Sequence, residues 1–471
     1  MNHFIDMIEQ SGITPELIDK IIQEHKPDHD RMKKLYDRYQ AEIQGVPILS
    51  REAIEYEDFE TGKLKRIDHK VNNRLNNSFD SEIIDTKVGY LFGHPIAYEF
   101  DESDAASTAA STAIPVKQLI EDFNMGNNIA DEDSEWGKMA SICGYGARLA
   151  YVDRSGNERI KNIDPWECAF ITDGSIHEPT YALRYYTMYG GKIKAEFYDQ
   201  KYVYYFSTKD SSAFTFDKKV LHLFDGCPLF GLANNKELKG DAEKVLSLID
   251  AYDRTLSDAS NEIEQYRLAY LILKGMGADE ETLDQLKKSG VLELYDEKDD
   301  VSYLTKDIND AIIENHLDRL EENILRFAKS VNFSDESFGG NVSGVAMKYK
   351  LMSLENKCIT MERKMTAALR YQYKLIFSAW GTKRQAAAED YKKVWFGFKR
   401  NLPANVLEEA NTTGQLKGMV SEETRLSLLS FVDDVQYELK KMEEEEEEYR
   451  LNMPPLTDVE TDAGGDEDEP E

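Results

Sequence analysis

Residues 337–350 read SFGGNVSGVAMKYK, a Gly- and Ser-rich stretch between two segments whose apolar residues recur at helical spacing. Upstream, Ile313, Leu317, Leu320, Ile324, Phe327 and Val331 alternate four and three residues apart. Downstream, Leu351, Leu354, Cys358, Met361, Met365, Ala368, Gln372, Leu375 and Ala379 keep the same alternation. An average spacing of about 3.5 is the seam of helices packed at a shallow angle. Glycine carries no Cβ, so Gly339, Gly340 and Gly344 release the backbone between the two periodic segments. The stretch predicts a flexible loop joining two long helices.

A third segment shares the period. Val245, Ile249, Tyr252, Leu256, Ala259, Ile263, Tyr266, Tyr270 and Leu273 predict one helix of roughly 35 residues, about 50 Å long, stopped by Gly275-Met276-Gly277. A small segment follows, with a short helix near ETLDQLKKSG and strands at VLELYD and VSYLT. Residues 147–225 run in short alternating stretches with a Gly190-Gly191 hairpin signal, which predicts an antiparallel sheet domain ending before Cys227-Pro228. Residues 1–45 predict two or three short helices, with Thr14-Pro15 as a start signal. NNRLNNSFDSEIIDTKVGY (72–90) has helical period and enters a strand at LFGHPIAYEF, DESDAASTAASTAIP (101–115) predicts a loose loop, and helices resume from Pro115 to about Tyr145. After YKKVWFGFKRNLP come helices around 403–411 and 421–450, then an acidic tail predicted to be disordered. The fold class is α+β.

Charge excludes several functions. The 471 residues carry 57 Lys+Arg against 89 Asp+Glu, a net charge of -32, so a protein that coats nucleic acid is not expected. No apolar run of about 18 residues predicts a membrane span, and the opening MNHFIDMIEQ lacks the basic and apolar regions of a signal peptide, which points to the cytoplasm. Cys143, Cys168, Cys227 and Cys358 lie far apart and read as buried reduced thiols. His25 and His29 are four apart with Pro27 between, a weak metal pair. Phosphate-binding, dinucleotide-binding and acyl-transfer motifs are absent, and Asp164 with Glu167 forms a nuclease-like pair with no Lys following in place. An enzyme is not expected, nor a cofactor or metal. Charge is also uneven. Residues 345–384 are basic, with Lys348, Lys350, Lys357, Arg363, Lys364 and Arg370 among them, whereas 237–270 is acidic, including Asp241, Glu243, Asp250, Asp253 and Asp258. Pairing of these two helices across a bundle is the simplest expectation.

The order of NNRLNNSFDSEIIDTKVGYLFGHPIAYEF (72–100), ELKGDAEKVLSLIDAYDRTLSDASNEIEQYRLAYLILKG (237–275), NVSGVAMKYKLMSLENKC (341–358) and FKRNLPANVLEEA (398–410) resembles the portal proteins of tailed bacteriophages, in the branch typical of long-tailed phages of Gram-positive bacteria. The resemblance spans nearly the whole chain. It implies a ring of about twelve subunits around a DNA channel at one capsid vertex, with no chemistry of its own. It divides the chain into a wing (1–236), a stem helix (237–274), a clip (275–305), a second stem helix (306–331), a tunnel loop (332–344), a long basic wing helix and connection (345–397), a crown (398–450) and an acidic tail (451–471). The tunnel loop would bring Ser337, Phe338, Gly339, Gly340, Asn341, Val342, Ser343 and Gly344 beside the DNA, with Lys348 and Lys350 as DNA-proximal cations. Glu280, Glu281, Lys287, Lys288 and Glu293 of the clip would face the terminase large subunit. Implied partners are other copies of the chain, terminase, head-completion protein, major capsid and scaffolding proteins, and double-stranded DNA in the channel; no membrane is implied. Assembly in the host cytoplasm and residence in the virion follow. The alternative is a helical adaptor without a channel.

Overall fold

Thr14 and Pro15 start a helix as the sequence predicts: the Thr14 hydroxyl accepts the Leu17 N–H at 3.3 Å, and Pro15 occupies a first-turn position where no backbone donor is needed. The computed structural model describes residues 3–52, 55–57, 64–66, 71–101, 114–172, 179–208, 213–266, 270–274, 300–304, 310–332, 344–402, 406–429, 431–432 and 435–452. They fall into two units, Met1–Asn401 and Leu402–Glu471.

The first unit opens with α1 (His3–Ser11) and α2 (Pro15–Tyr39). α2 is one helix of 25 residues with Pro27 inside it, rather than a set of short helices. Its buried side, from Leu17 and Ile18 to Met32 and Leu35, outweighs the hydrogen bond Pro27 cannot make. A short antiparallel pair, β1 (Glu55–Glu57) and β2 (Leu64–Arg66), precedes α3 (Phe79–Phe92), β3 (Ala97–Phe100), α4 (Val116–Gly126) and α5 (Ile129–Cys143).

The predicted antiparallel block is present, but as two sheets. β4 (Tyr145–Val152), β5 (Glu158–Ile163), β6 (Cys168–Ile171), β7 (Tyr181–Thr187), β8 (Ile193–Tyr198), β9 (Tyr202–Thr208), β10 (Phe214–Leu221) and β11 (Leu229–Ala233) are ordered β10-β9-β8-β7-β6 and β11-β4-β5. Gly190 and Gly191, at φ +88° and +78°, close the β7–β8 turn where the sequence placed a hairpin. β11 lies beyond Cys227-Pro228, where helix was expected. Its short apolar run, LFGLA, has no periodicity that separates strand from buried helix. α1 and α2 cover the five-stranded sheet through Phe4, Ile18 and Ile21 against Ile171, Leu183, Phe197 and Phe206.

The long helices follow. The helix expected over 237–274 is instead α6 (Leu246–Tyr266), preceded by a single 3-10 turn, and Tyr270–Lys274 is a strand, β12, paired with β13 (Asp300–Leu304). The aromatic and β-branched residues of YLILK have a partner in DVSYL, and that pairing overrides the helical period. The strand predicted at VSYLT is therefore observed, while ETLDQLKKSG and VLELYD lie outside the described residues. α7 (Asp310–Ala328) and α8 (Gly344–Thr382) match the two predicted helices. All nine seam residues from Leu351 to Ala379 are buried. On α7 the seam holds at Leu320 and Ile324, then Ala328 replaces the exposed Phe327. β14 (Val394–Gly397) returns to pair with β3.

Residues 72–78, expected to be helical, are extended and lie along α6. The Asn73, Leu75 and Asn77 N–H groups donate to Asn261 Oδ1 (2.7 Å), Ser257 Oγ (2.9 Å) and Asp253 Oδ1 (3.0 Å). Two extended residues advance about 6.6 Å and four helical residues about 6 Å, so every second donor meets every fourth acceptor. Asp253, Ser257 and Asn261 are accordingly the buried face of this half of α6, whereas Ile263 of the expected apolar seam is 60% exposed.

The second unit contains α9 (Val406–Gln415), α10 (Glu422–Ser427) and α11 (Val435–Asn452). The helix expected over 421–450 is therefore two, α10 being capped by the Ser421 hydroxyl, which accepts the Thr424 N–H at 3.2 Å. The acidic tail from 453 lies outside the described residues.

Candidate functional site at the junction of two long helices

The loop region singled out by the sequence is bounded by the end of α7 and the start of α8. α7 ends in a Schellman turn: Ser330 N–H donates to Leu325 O at 2.9 Å and Lys329 N–H to Arg326 O at 3.2 Å, with Lys329 at φ +56° in the position that favours glycine. Asn332 reaches back to Glu321 Oε1 at 3.3 Å. Gly344 is the first residue of α8, and Lys348 and Lys350 are exposed on its opening turns. Ser337, Phe338, Gly339, Gly340, Asn341, Val342 and Ser343 lie outside the described residues, as do Glu280, Glu281, Lys287, Lys288 and Glu293.

About two turns beyond Lys350 on α8, a buried charge node at Lys357 ties this junction to the rest of the unit. Residues 234–241 fold against the C-terminal end of α5, where Ser141 O accepts the Asp241 N–H (2.8 Å) and Gly144 O the Asn234 N–H (3.0 Å), which partners carbonyls that a helix end leaves open. A Cβ on Gly240 would collide with the Ile142 carbonyl, so glycine is required for this approach. Asp241 is thereby placed between two ammonium groups, Lys87 of α3 at 2.8 Å and Lys357 of α8 at 3.2 Å. Lys87 spends its three donors on Asp241, Asn234 Oδ1 (2.6 Å) and Ser141 Oγ (3.2 Å). Lys357 also donates to Ala328 O at 2.8 Å, setting a cation on the negative end of α7.

Burial works to raise the Asp241 pKa, but the Lys87 and Lys357 charges override it and hold the carboxyl at about 2. Burial lowers the Lys357 pKa, against the attraction of Asp241. A polar cavity of about 240 Å³ borders the node, lined by Asn234, Lys244, Lys329, Asn356 and Thr360 among others. It has room for water beside the second cation.

A second node holds the other half of α8. Arg148, fully buried, donates to Asp133 Oδ1 (2.7 Å), Gln372 Oε1 (2.8 Å) and Glu132 O (2.8 Å), and its guanidinium lies 3.9 Å from the Trp136 ring centroid. Tyr98 donates its hydroxyl to the other Asp133 oxygen. Burial raises the Asp133 pKa even though Arg148 opposes it. Nearby, Tyr371 donates to Cys227 O (3.0 Å), Tyr373 to Asn124 Oδ1 (2.7 Å) and Trp380 to Glu158 Oε2 (3.3 Å).

The expected pairing of an acidic and a basic helix is only partly what the charges do. Asp241 meets Lys357, but Asp250 meets Arg38 at 2.9 Å, Asp258 meets Arg51 at 2.7 Å and Glu243 meets Arg31 at 3.0 Å, so the N-terminal segment supplies most of the cations. The remaining candidates have structural partners. His25 Nδ1 lies 2.8 Å from Tyr185 Oη, and burial lowers its pKa to about 4. His29 pairs with Asp30, and Glu167 lies 3.4 Å from Arg184. The four cysteines are buried and unpaired. Among the described residues no His/Cys/Asp/Glu group is arranged to hold a metal, and no helix is long and apolar enough to cross a membrane. Sequence reasoning missed Lys87, Asn234, Arg148 and Asp133. A lysine inside a helical segment and carboxylates in a chain full of them carry no local signal of burial.

Comparison with known proteins agrees with this architecture. The family described as phage portal protein, SPP1 Gp6-like, matches residues 18–450. The portal protein of Bacillus phage SPP1 is 26% identical over 495 aligned positions, covering 97% of this chain and 94% of that protein. The portal protein of Clostridium phage phiCD119 is 23% identical over 410 positions, covering 81% of this chain and 86% of that protein. With a match that runs from α2 to α11 and takes in both charge nodes, the chain belongs to the SPP1 Gp6-like family of phage portal proteins.

Proposed function

We propose that residues 332–344 form the loop that meets DNA in the channel of a ring of about twelve copies, with α8 as the strut that carries it. The function itself follows from family membership: a portal protein forms the ring at the capsid vertex through which DNA is packaged and ejected, and it is a structural component of the virion. The observation that carries the loop assignment is the mounting of α8. It is buried on nearly every side from Tyr371 to Trp380 and clamped again at Lys357, so the Gly-rich stretch joins a helix that cannot move freely. Exposed Lys348 and Lys350 on its first turns are suited to brief phosphate contacts, in a chain whose net negative charge keeps DNA from sticking elsewhere.

On the same reading residues 1–236 and 345–397 make the wing, α6 and α7 the stem, 275–305 the clip and 398–450 the crown. Glu280, Glu281, Lys287, Lys288 and Glu293 then belong to the surface offered to the terminase large subunit, which supplies the ATP-driven force, and later to a head-completion protein. Major capsid and scaffolding proteins contact the ring during assembly in the host cytoplasm. The chain itself catalyses nothing and takes no cofactor.

Electron-microscope class averages of the purified protein, with its mass in solution, test the ring. A deletion of 337–343 tests the loop: rings should persist while DNA packaging is lost. Packaging at the wild-type level by that deletion would overturn the loop assignment. Monomers or dimers under all conditions, scaffolding protein included, would favour the channel-less adaptor.

A further inference from the structure

We propose that each subunit docks onto the next copy of this chain by setting a basic stripe on α8 against an acidic stripe on α7. The inference rests on the ring reading above. A closed ring is a heterologous assembly, in which every copy presents two different faces that fit one another. Two such faces are present on one subunit.

On α8, Arg363 and Arg370 lie about two turns apart on the side opposite the buried Leu354, Cys358, Met361 and Met365. Both are exposed, and neither has an ion-pair partner among the described residues of its own subunit. Met352, 55% exposed, lies in the same row, five turns from Arg370 at about 3.6 residues per turn. On α7, Glu314, Asp318 and Glu322 recur every four residues, exposed and likewise without an ion-pair partner.

The remaining balance of charge makes the assignment specific. A chain of net charge -32 repels its own copies, so an attractive contact has to be local. The α8 stripe is a row of cations that the subunit leaves unneutralised. Its Arg363–Arg370 span of about 10 Å matches the Glu314–Glu322 span of about 12 Å closely enough for flexible side chains to join them. Complementary stripes of this kind fix partner and register.

The test uses full-length protein with one face reversed at a time. R363E/R370E makes both faces acidic, and E314K/D318K/E322K makes both basic. Each alone should lose ring formation by at least about tenfold in class averages and native mass spectrometry. An equimolar mixture should restore rings in which the two variants alternate. Far-UV circular dichroism checks that each variant folds. As a second readout, R363Q/R370Q should lower the salt concentration at which rings come apart. Wild-type rings accompanied by variant rings of unchanged yield and salt stability would overturn the interface and leave the ring reading standing. Wild-type protein that never forms rings would overturn both.

Discussion

Between Tyr371 and Trp380, α8 buries every residue except the half-buried Lys374 and Ser378, whereas between Met347 and Thr360 it buries only Leu351, Leu354 and Cys358. One end is a core helix, apolar nearly all round; the other is amphipathic and presents Tyr349 and Met352 outward. The charge nodes differ in the same sense. Arg148 and Asp133 form a matched pair closed by Gln372 and Tyr98, with Arg148 fully buried. Lys87, Asp241 and Lys357 are two cations on one anion, beside a polar cavity. A single helix is thus fixed firmly where it crosses the sheets and held by a more adjustable clamp where it approaches the 333–343 stretch. Ionic clamps and apolar packing serve different ends here: the first sets position, the second supplies most of the stability.

The largest way to break this contrast is at the firm end. Arg148→Met leaves Asp133 buried beside a tyrosine with no cation, and should cost about 3–5 kcal/mol in urea denaturation of the isolated subunit. A loss below about 1 kcal/mol would show that water reaches this node too.

At the clamp, Asp241→Asn leaves Lys87 and Lys357 facing one another and should cost about 3 kcal/mol at neutral pH. Its acid dependence sharpens the comparison. The Asp241 carboxyl has a folded pKa of about 2, below its ordinary 3.8, so its contribution is present above pH 3.8 and lost as pH falls through 2. About 2 kcal/mol of the gap between wild type and Asp241→Asn should therefore disappear between pH 4 and pH 2, measured as the difference between their urea midpoints. A gap constant with pH would mean that Asp241 acts through packing alone.

Smaller effects test the elements that feed the clamp. Ser257→Ala removes the acceptor of the Leu75 N–H and should cost about 1–2 kcal/mol, with faster hydrogen exchange at Leu75 than at Asn73 or Asn77. Uniform exchange across the three would mean that each rung is independently dispensable. Lys329→Gly should raise stability by about 0.5–1 kcal/mol, since a left-handed residue at the end of α7 is relieved of its Cβ strain. A thermal midpoint that falls instead would show that the Lys329 side chain matters to the cavity it lines.

Much of this architecture is legible in the sequence where apolar period and burial coincide. The nine seam residues of α8 are all buried because that helix crosses the centre of the unit. The α6 seam is only half right, because the residues buried beyond Ile249 are Asp253, Ser257 and Asn261, and polar side chains read as a solvent face unless their distant backbone partners are known. The same nonlocal bonds explain why 72–78 is extended although its sequence has helical period. β11 is not legible because a five-residue apolar run fits either element, and the helix expected over 237–274 ends early because its last residues pair with a distant strand, Tyr270 against Leu304 and Lys274 against Asp300. Of the charge clamp, Asp241 and Lys357 are legible only as members of an acidic and a basic run, whereas the clamp needs three segments brought together from Lys87, Asp241 and Lys357.

The ladder between 72–78 and α6 amounts to two rulers of unequal pitch laid side by side. Each step of the extended chain overshoots its helical mark by about 0.6 Å, so the marks agree over three rungs and drift out of reach soon after. Such a scale has one reading. It fixes where along α6 the N-terminal segment stops, and so α3, which starts at Phe79 and carries Lys87 to Asp241, is delivered at a set height along that helix.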